Sequence, residues 1–386
     1  MRRRQVALWL LCGVLAVHVP IAIAAAGHSG RHQADFDNYY RIGTRSGRAY
    51  VDFQVEFPVG TVAAFRSLAP LTGNRGRFGV ALVALNFAAD VAIAAALAWA
   101  WGVEAAACYA LVAAPILDLF LLRLDLWSTL FATVGVAAWR RERPSLAAVA
   151  LVAGAAFKLW PLALLPLLVT APHERRAAVR PLVAAAAAVV ALLAVWFWAA
   201  GASGLYQVLT FRGASGWEVE STVGTAWLML DRSALRLESG AWRIGSTNGA
   251  VSIFLFALGA LPCLWLIWRG ARTRHVGAGW AGGLSALLVC SALLSPQFAC
   301  WISPASGVAW AERDTRVAVL TALAVFFSNL VFRSFVPLLQ DDPGALALLV
   351  IRNVLLIVLA IDAAWLVGRE VRRVRFWSDL DARQSG

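Results

Sequence analysis

Among the 34 basic side chains of this 386-residue sequence a single one is a lysine, Lys158, set in the apolar run Ala-Ala-Phe-Lys158-Leu-Trp160-Pro161. An ammonium is a compact point charge suited to an oxyanion, and the planar guanidinium fork is not its equivalent. Apolar flanks put Lys158 at or within a bilayer, where an ionisable group marks function by default. The competing reading is that its alkyl stem merely lifts the charge to the interface. A second group of reactive types lies upstream, in Asp35-Phe36-Asp37-Asn38-Tyr39-Tyr40 just after the first apolar stretch. An ionised carboxylate there can take a hydroxyl proton as a general base, or serve as a helix N-cap or a solvated loop acid. His28 and His32 precede it at i, i+4. Two histidines and a carboxylate bind Zn²⁺ or Mn²⁺ when they converge, but no helical pattern surrounds this Gly/Ser-containing stretch. No metal and no other cofactor is expected.

The elements that must hold these residues are apolar. The chain is 61% hydrophobic with a mean hydropathy of +0.71, which makes it an integral membrane protein. Apolar segments run over 5–26, 79–101, 104–121, 124–139, 145–157, 160–171, 181–200, 250–268, 276–294, 298–311, 316–335 and 344–367. A span needs about 20 residues, so the shorter segments read as broken or re-entrant helices. The expected fold is an all-α polytopic transmembrane bundle of about 10–13 membrane segments, one domain over 1–386. The first segment follows Arg2-Arg3-Arg4 and exceeds the roughly 7–15 apolar residues of a signal peptide, so an uncleaved span is expected rather than cleavage near 24–26.

The net charge of +12 raises nucleic-acid binding, but the arginines punctuate the apolar segments instead of forming a stripe. They cluster as Arg140-Arg141-Arg143, Arg175-Arg176-Arg180, Arg269-Arg272-Arg274, Arg313-Arg316 and Arg369-Arg372-Arg373-Arg375. With these clusters in the cytoplasm, alternate loops are assigned and both termini lie inside. Two long loops, 27–78 and 202–249, then face outward with Arg123-Leu124-Asp125, the Lys158 segment, Ser295-Pro296-Gln297 and Gln340-Asp341-Asp342-Pro343. Asp90, Asp118, Arg352 and Asp362 fall within spans and are few enough to pair with neighbours. No internal repeat is apparent, which counts against inverted-repeat transporters. Cys12, Cys108, Cys263, Cys290 and Cys300 all sit in apolar runs and read as packing thiols.

On the outer face short motifs recur in order. Asp35-x-x-x-Tyr39, Gly47-x-x-Tyr50 and Glu56-Phe57-Pro58, ending at Gly60, resemble the first outer loop of the GT87 glycosyltransferases, polyprenyl-phosphate-dependent mannosyl- and related transferases of the GT-C membrane class. Arg123-Leu124-Asp125 resembles that family's Arg-(Phe/Tyr)-Asp motif, and Lys158 with Pro161 its Lys-x-x-Pro element. Gly216-Trp217-Glu218-Val219-Glu220-Ser221 is similar to its Arg-Gly-x-Gln-x-Glu-Ser segment, with Ser215 in place of the arginine, Glu218 in place of the glutamine and Arg212 nearby as a substitute. Ser295-Pro296-Gln297-Phe298, Trp301 and Pro304 resemble its Ser-Pro-Gln-Tyr-x-x-Trp-x-x-Pro element. Together these cover about residues 35–304.

The resemblance implies transfer of a sugar, mannose foremost, from a polyprenyl-phosphate donor to an envelope glycolipid or polysaccharide at the outer face of a bacterial cytoplasmic membrane. It implies Asp35 as general base, or Asp37 in a shifted register. Lys158 and Arg123 would bind the donor phosphate, and Tyr39, Tyr50, Glu56, Asp125, Glu220, Gln297 and Trp301 the substrates. Cleaving the sugar C1–O bond leaves more negative charge on the phosphate, so a fixed cation favours the transition state over the ground state. A one-step displacement would invert the anomeric carbon. Asp125 is read as orienting substrate or pairing with Arg123. Trp160, Trp217 and Trp301 are candidates to stack on a sugar or flank the prenyl chain, although packing is the simpler role for each. An arabinofuranosyl- or protein O-glycosyltransferase is the rival within the class, and a lipid-linked saccharide transporter the rival outside it.

Overall fold

The computed structural model describes residues 2–28, 34–170, 179–247 and 250–384. Each of the twelve apolar segments is helical. In chain order the elements are α1 (Arg2–His28), α2 (Ala34–Thr44), α3 (Val59–Thr72), α4 (Arg75–Trp101), α5 (Val103–Ala113), α6 (Leu117–Leu121), α7 (Asp125–Arg140) and α8 (Pro144–Ala155). A 3₁₀ segment, Trp160–Thr170, leads to α9 (Val179–Leu209). Then come β1 (Trp217–Glu218), α10 (Thr222–Leu230), β2 (Arg236–Glu238), β3 (Ala241–Ile244), α11 (Ala250–Thr273) and α12 (Val276–Val289). The chain closes with α13 (Ala299–Ala311), α14 (Thr315–Arg333), α15 (Phe335–Leu339) and α16 (Pro343–Gln384).

Among the described residues seven helices are long and apolar enough to cross a membrane: Leu8–His28, Arg75–Trp101, Val103–Leu121, Val179–Leu209, Ala250–Thr273, Thr315–Arg333 and Pro343–Arg369. That is fewer than the ten to thirteen segments expected. The reason is length: at 1.5 Å per residue α8 reaches only about 18 Å against a hydrocarbon core of about 30 Å. The molecule is a nearly all-α, multi-pass membrane protein by these helices. Its short members, α12 and α13, lie inside the bundle. Glycine permits the close approach: a Cβ on Gly277 would collide with the backbone of Ala309, and one on Gly282 with Ala363, as small residues do where helices meet in lipid.

An exception to the all-α expectation sits in the second long loop, where a three-stranded antiparallel sheet of order β1-β3-β2 pairs Trp217 with Ile244 and Arg236 with Arg243. Strands of two to four residues leave no alternation long enough to read in a sequence.

The three aspartates within the spans are paired, whereas Arg352 donates only to the Leu294 and Glu220 backbone carbonyls. Asp118 bonds Arg333, and Asp362 bonds Arg316 at 2.9 Å. Asp90 on α4 meets His18 Nδ1 of α1 at 2.8 Å and accepts from the Tyr109 hydroxyl of α5 at 2.7 Å. His18 Nε2 faces the Ala110 carbonyl at 3.0 Å, and His18 and Asp90 are wholly buried.

The helices that carry the outer-loop motifs have their arginines at the far end. α7 starts at Asp125 and ends at Arg140, while Arg141 reaches back to the Trp99 carbonyl near the end of α4. α13 carries Trp301 in its first turn and is followed by Arg313; α11 ends beyond Arg272. The motifs and the arginines around 140–143, 269–274 and 313 therefore lie at opposite ends of these helices.

Candidate active site

Asp35 and Asp37 lie in the first turn of α2. Residues two apart on a helix point to nearly opposite sides, and the two acids diverge accordingly. Asp35 enters a large cavity and ion-pairs with Arg123, whereas Asp37 turns away to Arg75. The Gly/Ser-containing stretch between His28 and Ala34 lies outside the described residues. His28 ends α1 with Nδ1 donating to the Ala24 carbonyl at 2.7 Å, and His32 lies outside the described residues. No cluster of three or more metal-ligating side chains forms among the described residues.

The cavity, of about 700 Å³, is lined by Asp35, Tyr39, Glu56, Arg123, Lys158, Glu220, Gln297 and Trp301. Eight residues named from sequence, spread over five motifs, thus share one wall system. Tyr50 is not among them. Its hydroxyl donates to the Phe57 carbonyl at 2.6 Å and its own carbonyl accepts from Gln207 at 2.9 Å, so it shapes the loop that carries Glu56. Asp125 lies just behind the wall, 2% exposed. It pairs with Lys158 at 2.7 Å rather than with Arg123, and accepts from Trp301 Nε1 at 2.9 Å.

Lys158 does not snorkel. It occupies the turn between α8 and the 3₁₀ segment, with its ammonium on Asp125 and 4.6 Å from the centre of the Phe298 ring. Two bonds from α3 hold that turn: Gly60 N–H donates to the Ala156 carbonyl at 2.9 Å and the Thr61 hydroxyl to that of Phe157 at 2.9 Å. A Cβ on Gly60 would stand 2.6 Å from the Ala156 oxygen, so a glycine is needed where the first loop touches the lysine turn. Trp301 stacks with Trp160 (ring centres 5.3 Å apart) and with Phe298 (4.3 Å). Its indole N–H supports Asp125 and so Lys158, while the residue also lines the cavity. Trp217 is buried, bonds the Ser246 carbonyl and does not line the cavity.

The second loop closes over the first. Arg212 pairs with Glu56 at 3.3 Å and donates to the Ser239 carbonyl, while Asn38 donates to the other Glu56 oxygen at 3.1 Å. From β1, Glu218 joins the cavity wall, accepting from Leu294 N–H at 3.0 Å. Sequence reading registered it only as a departure from a motif. The only signal in the sequence was a second carboxyl two residues from Glu220, and with β1 ending at Glu218 and a turn following, spacing alone did not bring the two together. Burial, together with the charge of Glu218, pushes Glu220 up to about 8, against the opposing pull of Arg352 and Arg123. Burial also raises Glu218, countered chiefly by Arg243. Arg123 falls to about 10 through burial and stays cationic at neutral pH.

The remaining wall is apolar. On α11 it runs from Phe256 through Ala260 and Cys263 to Leu264, about 12 Å along the helix axis. Neighbouring Ile253, Phe254 and Leu261 of the same helix are exposed. A charged head compartment thus continues into an apolar flank at the surface of the bundle. No family model, curated protein or solved structure matches the chain.

Proposed function

We propose that this protein is a membrane glycosyltransferase that moves a sugar, mannose foremost, from a polyprenyl-phosphate donor to an envelope glycolipid or polysaccharide, with inversion and with Asp35 as general base. One observation carries the reading. Asp35, Arg123, Lys158, Glu220 and Gln297, one from each resembling motif, line a single cavity whose wall also includes an apolar face of α11. A lipid phosphate fits both halves, its anion beside Lys158 and Arg123 and its chain along α11. The volume suits a sugar phosphate, as ligand sites of a few hundred Å³ do. The positive-inside rule assigns arginine-rich connections such as those at the opposite end to the cytoplasm, which supports a cavity on the outer side with both termini inside.

The reaction needs a base, a leaving-group cation and exclusion of water. Asp35, partly exposed and held ionised by Arg123, receives the acceptor hydroxyl proton. Lys158 gains more from the departing phosphate than from the bound diester, because negative charge grows there. The direct test is transfer from a synthetic polyprenyl-phosphate mannose by the purified protein, with Lys158→Ala and Lys158→Arg beside it. Alanine is expected to lower both donor affinity and turnover, and arginine to restore part of each. No transfer from any polyprenyl-phosphate sugar would sink the reading. Full activity in Lys158→Ala would remove the lysine from it. A transporter, needing the lipid site but no base, would keep its function in Asp35→Asn.

A further inference from the structure

Every carboxyl at the cavity but one has a partner. Asp35 has Arg123, Glu56 has Arg212 and Asn38, Asp125 has Lys158 and Trp301, and Glu218 has the Leu294 N–H. Glu220 alone of the described cavity carboxyls neither accepts a hydrogen bond nor meets a cation at ion-pair distance, although the residue is 8% exposed and lines the cavity. The cation placed to serve it is occupied elsewhere. Arg352 Nη2 donates to the Glu220 carbonyl at 2.7 Å and Nη1 to the Leu294 carbonyl at 3.3 Å, so it fixes the backbone of Glu220 and leaves its acid group free.

A buried carboxyl without a partner keeps its proton, because desolvation disfavours the anion. Two acids in one site whose surroundings drive them apart are a proton acceptor and a proton donor. Here Asp35, its side chain 46% exposed and bound to a guanidinium, is the anion, and Glu220 is the neutral acid.

Building on the proposed transfer reaction, we infer that Glu220 is a second catalytic residue, the general acid that protonates the departing lipid phosphate while Asp35 takes the proton of the acceptor hydroxyl. The bonds and charges balance. The acceptor oxygen bonds to sugar C1 as the C1–O(phosphate) bond breaks, and the electron pair of that bond stays on the phosphate oxygen. That oxygen receives the Glu220 proton, and the hydroxyl proton goes to Asp35. The step leaves a protonated lipid phosphate monoester, an ionised Glu220 and a protonated Asp35. Passage of the Asp35 proton to Glu220 through water resets the site.

The experiment is a pH–rate profile for the wild type, Glu220→Gln, Glu220→Asp and Asp35→Asn with a synthetic polyprenyl-phosphate sugar. The wild type should show a basic limb near pH 8, the range to which burial brings Glu220. Glu220→Gln should lose turnover by roughly 10²–10⁴-fold and lose that limb, while binding of unreactive polyprenyl phosphate is retained. Glu220→Asp should restore part of the turnover and keep a limb, and Asp35→Asn should abolish the acidic limb instead. The infrared spectrum of the unliganded protein at neutral pH should contain a carboxylic C=O band that Glu220→Gln removes. Near-normal turnover in Glu220→Gln, or a loss of turnover with the basic limb intact, would overturn the inference. Absence of the infrared band would overturn it as well, without reference to activity. A wild type that moves no sugar is a separate result, read before any variant, and it fails the proposed function itself.

Discussion

Two of the buried clusters of ionisable side chains among the described residues differ in how completely they are closed. In the His18–Asp90–Tyr109 network each group meets another: Asp90 holds the imidazole and the phenol, and the second imidazole nitrogen faces a carbonyl. No polar atom of the three is left over, and none lines the large cavity. In the cavity the pairs are partly open. The Nε of Arg123 has no hydrogen-bond partner, Asp35 is half exposed, and the Glu220 carboxyl is unengaged. Buried polar groups that satisfy one another specify packing, whereas groups left with spare donors, acceptors or protons are available to a ligand. The closed network joins α1, α4 and α5; the open one leaves groups free to engage a ligand.

The largest expected effect breaks this contrast from the open side. Asp35→Asn should cut turnover by roughly 10²–10⁴-fold, the usual cost of losing a general base, with donor binding largely kept. Initial rates with the synthetic donor decide it, and near-normal turnover would mean that the cavity acid is not the base.

From the closed side, Asp90→Ala leaves a buried imidazole and phenol without their acceptor. Breaking a buried pair by removing one partner costs about 3–5 kcal/mol, so thermal unfolding in detergent should move markedly downward. Turnover per folded molecule should hold. A variant that unfolds as the wild type does but loses turnover would turn the closed network into part of the machinery.

A third effect links the site to stability. Glu220 lies near 8 in the folded state, raised from 4.5. Between those values the unfolded chain has released this proton and the folded protein still holds it. Stability then falls as pH rises through that window. Glu220→Gln removes the cost, so the variant should be the more heat-stable of the two at pH 8 and differ little at pH 4. Equal melting at both pH values would show that the acid is not desolvated.

Much of this was legible in the chain. The apolar segments located the helices, and the lone Lys158 and the carboxylates of the first loop pointed to residues that do meet in one cavity. What was not legible depends on partners distant along the chain. Nothing near Glu220 announces that its carboxyl is unpaired, because that depends on Arg352, 132 residues away, donating to backbone carbonyls. The support that Trp301 gives to Asp125 was not legible for a similar reason. Its indole N–H is committed to Asp125, 176 residues distant in sequence. Local spacing reported which residue types were present, and tertiary contacts decided which of them were already engaged.

The smallest effect sharpens the contrast within α2 itself. Asp37 sits two residues from Asp35, yet its carboxylate pairs with Arg75 and does not line the cavity. Both side chains of that pair are partly exposed, 39% for Asp37 and 22% for Arg75, and such pairs contribute about 0–1 kcal/mol. Asp37→Asn should therefore shift unfolding slightly and leave turnover within a few-fold of wild type. Asp35→Asn, assayed beside it, should be nearly inactive. The reverse pattern, with Asp37→Asn inactive and Asp35→Asn competent, would mean that α2 presents its other face to substrate. The register that joins Asp35 to Tyr39 would then be wrong by two residues.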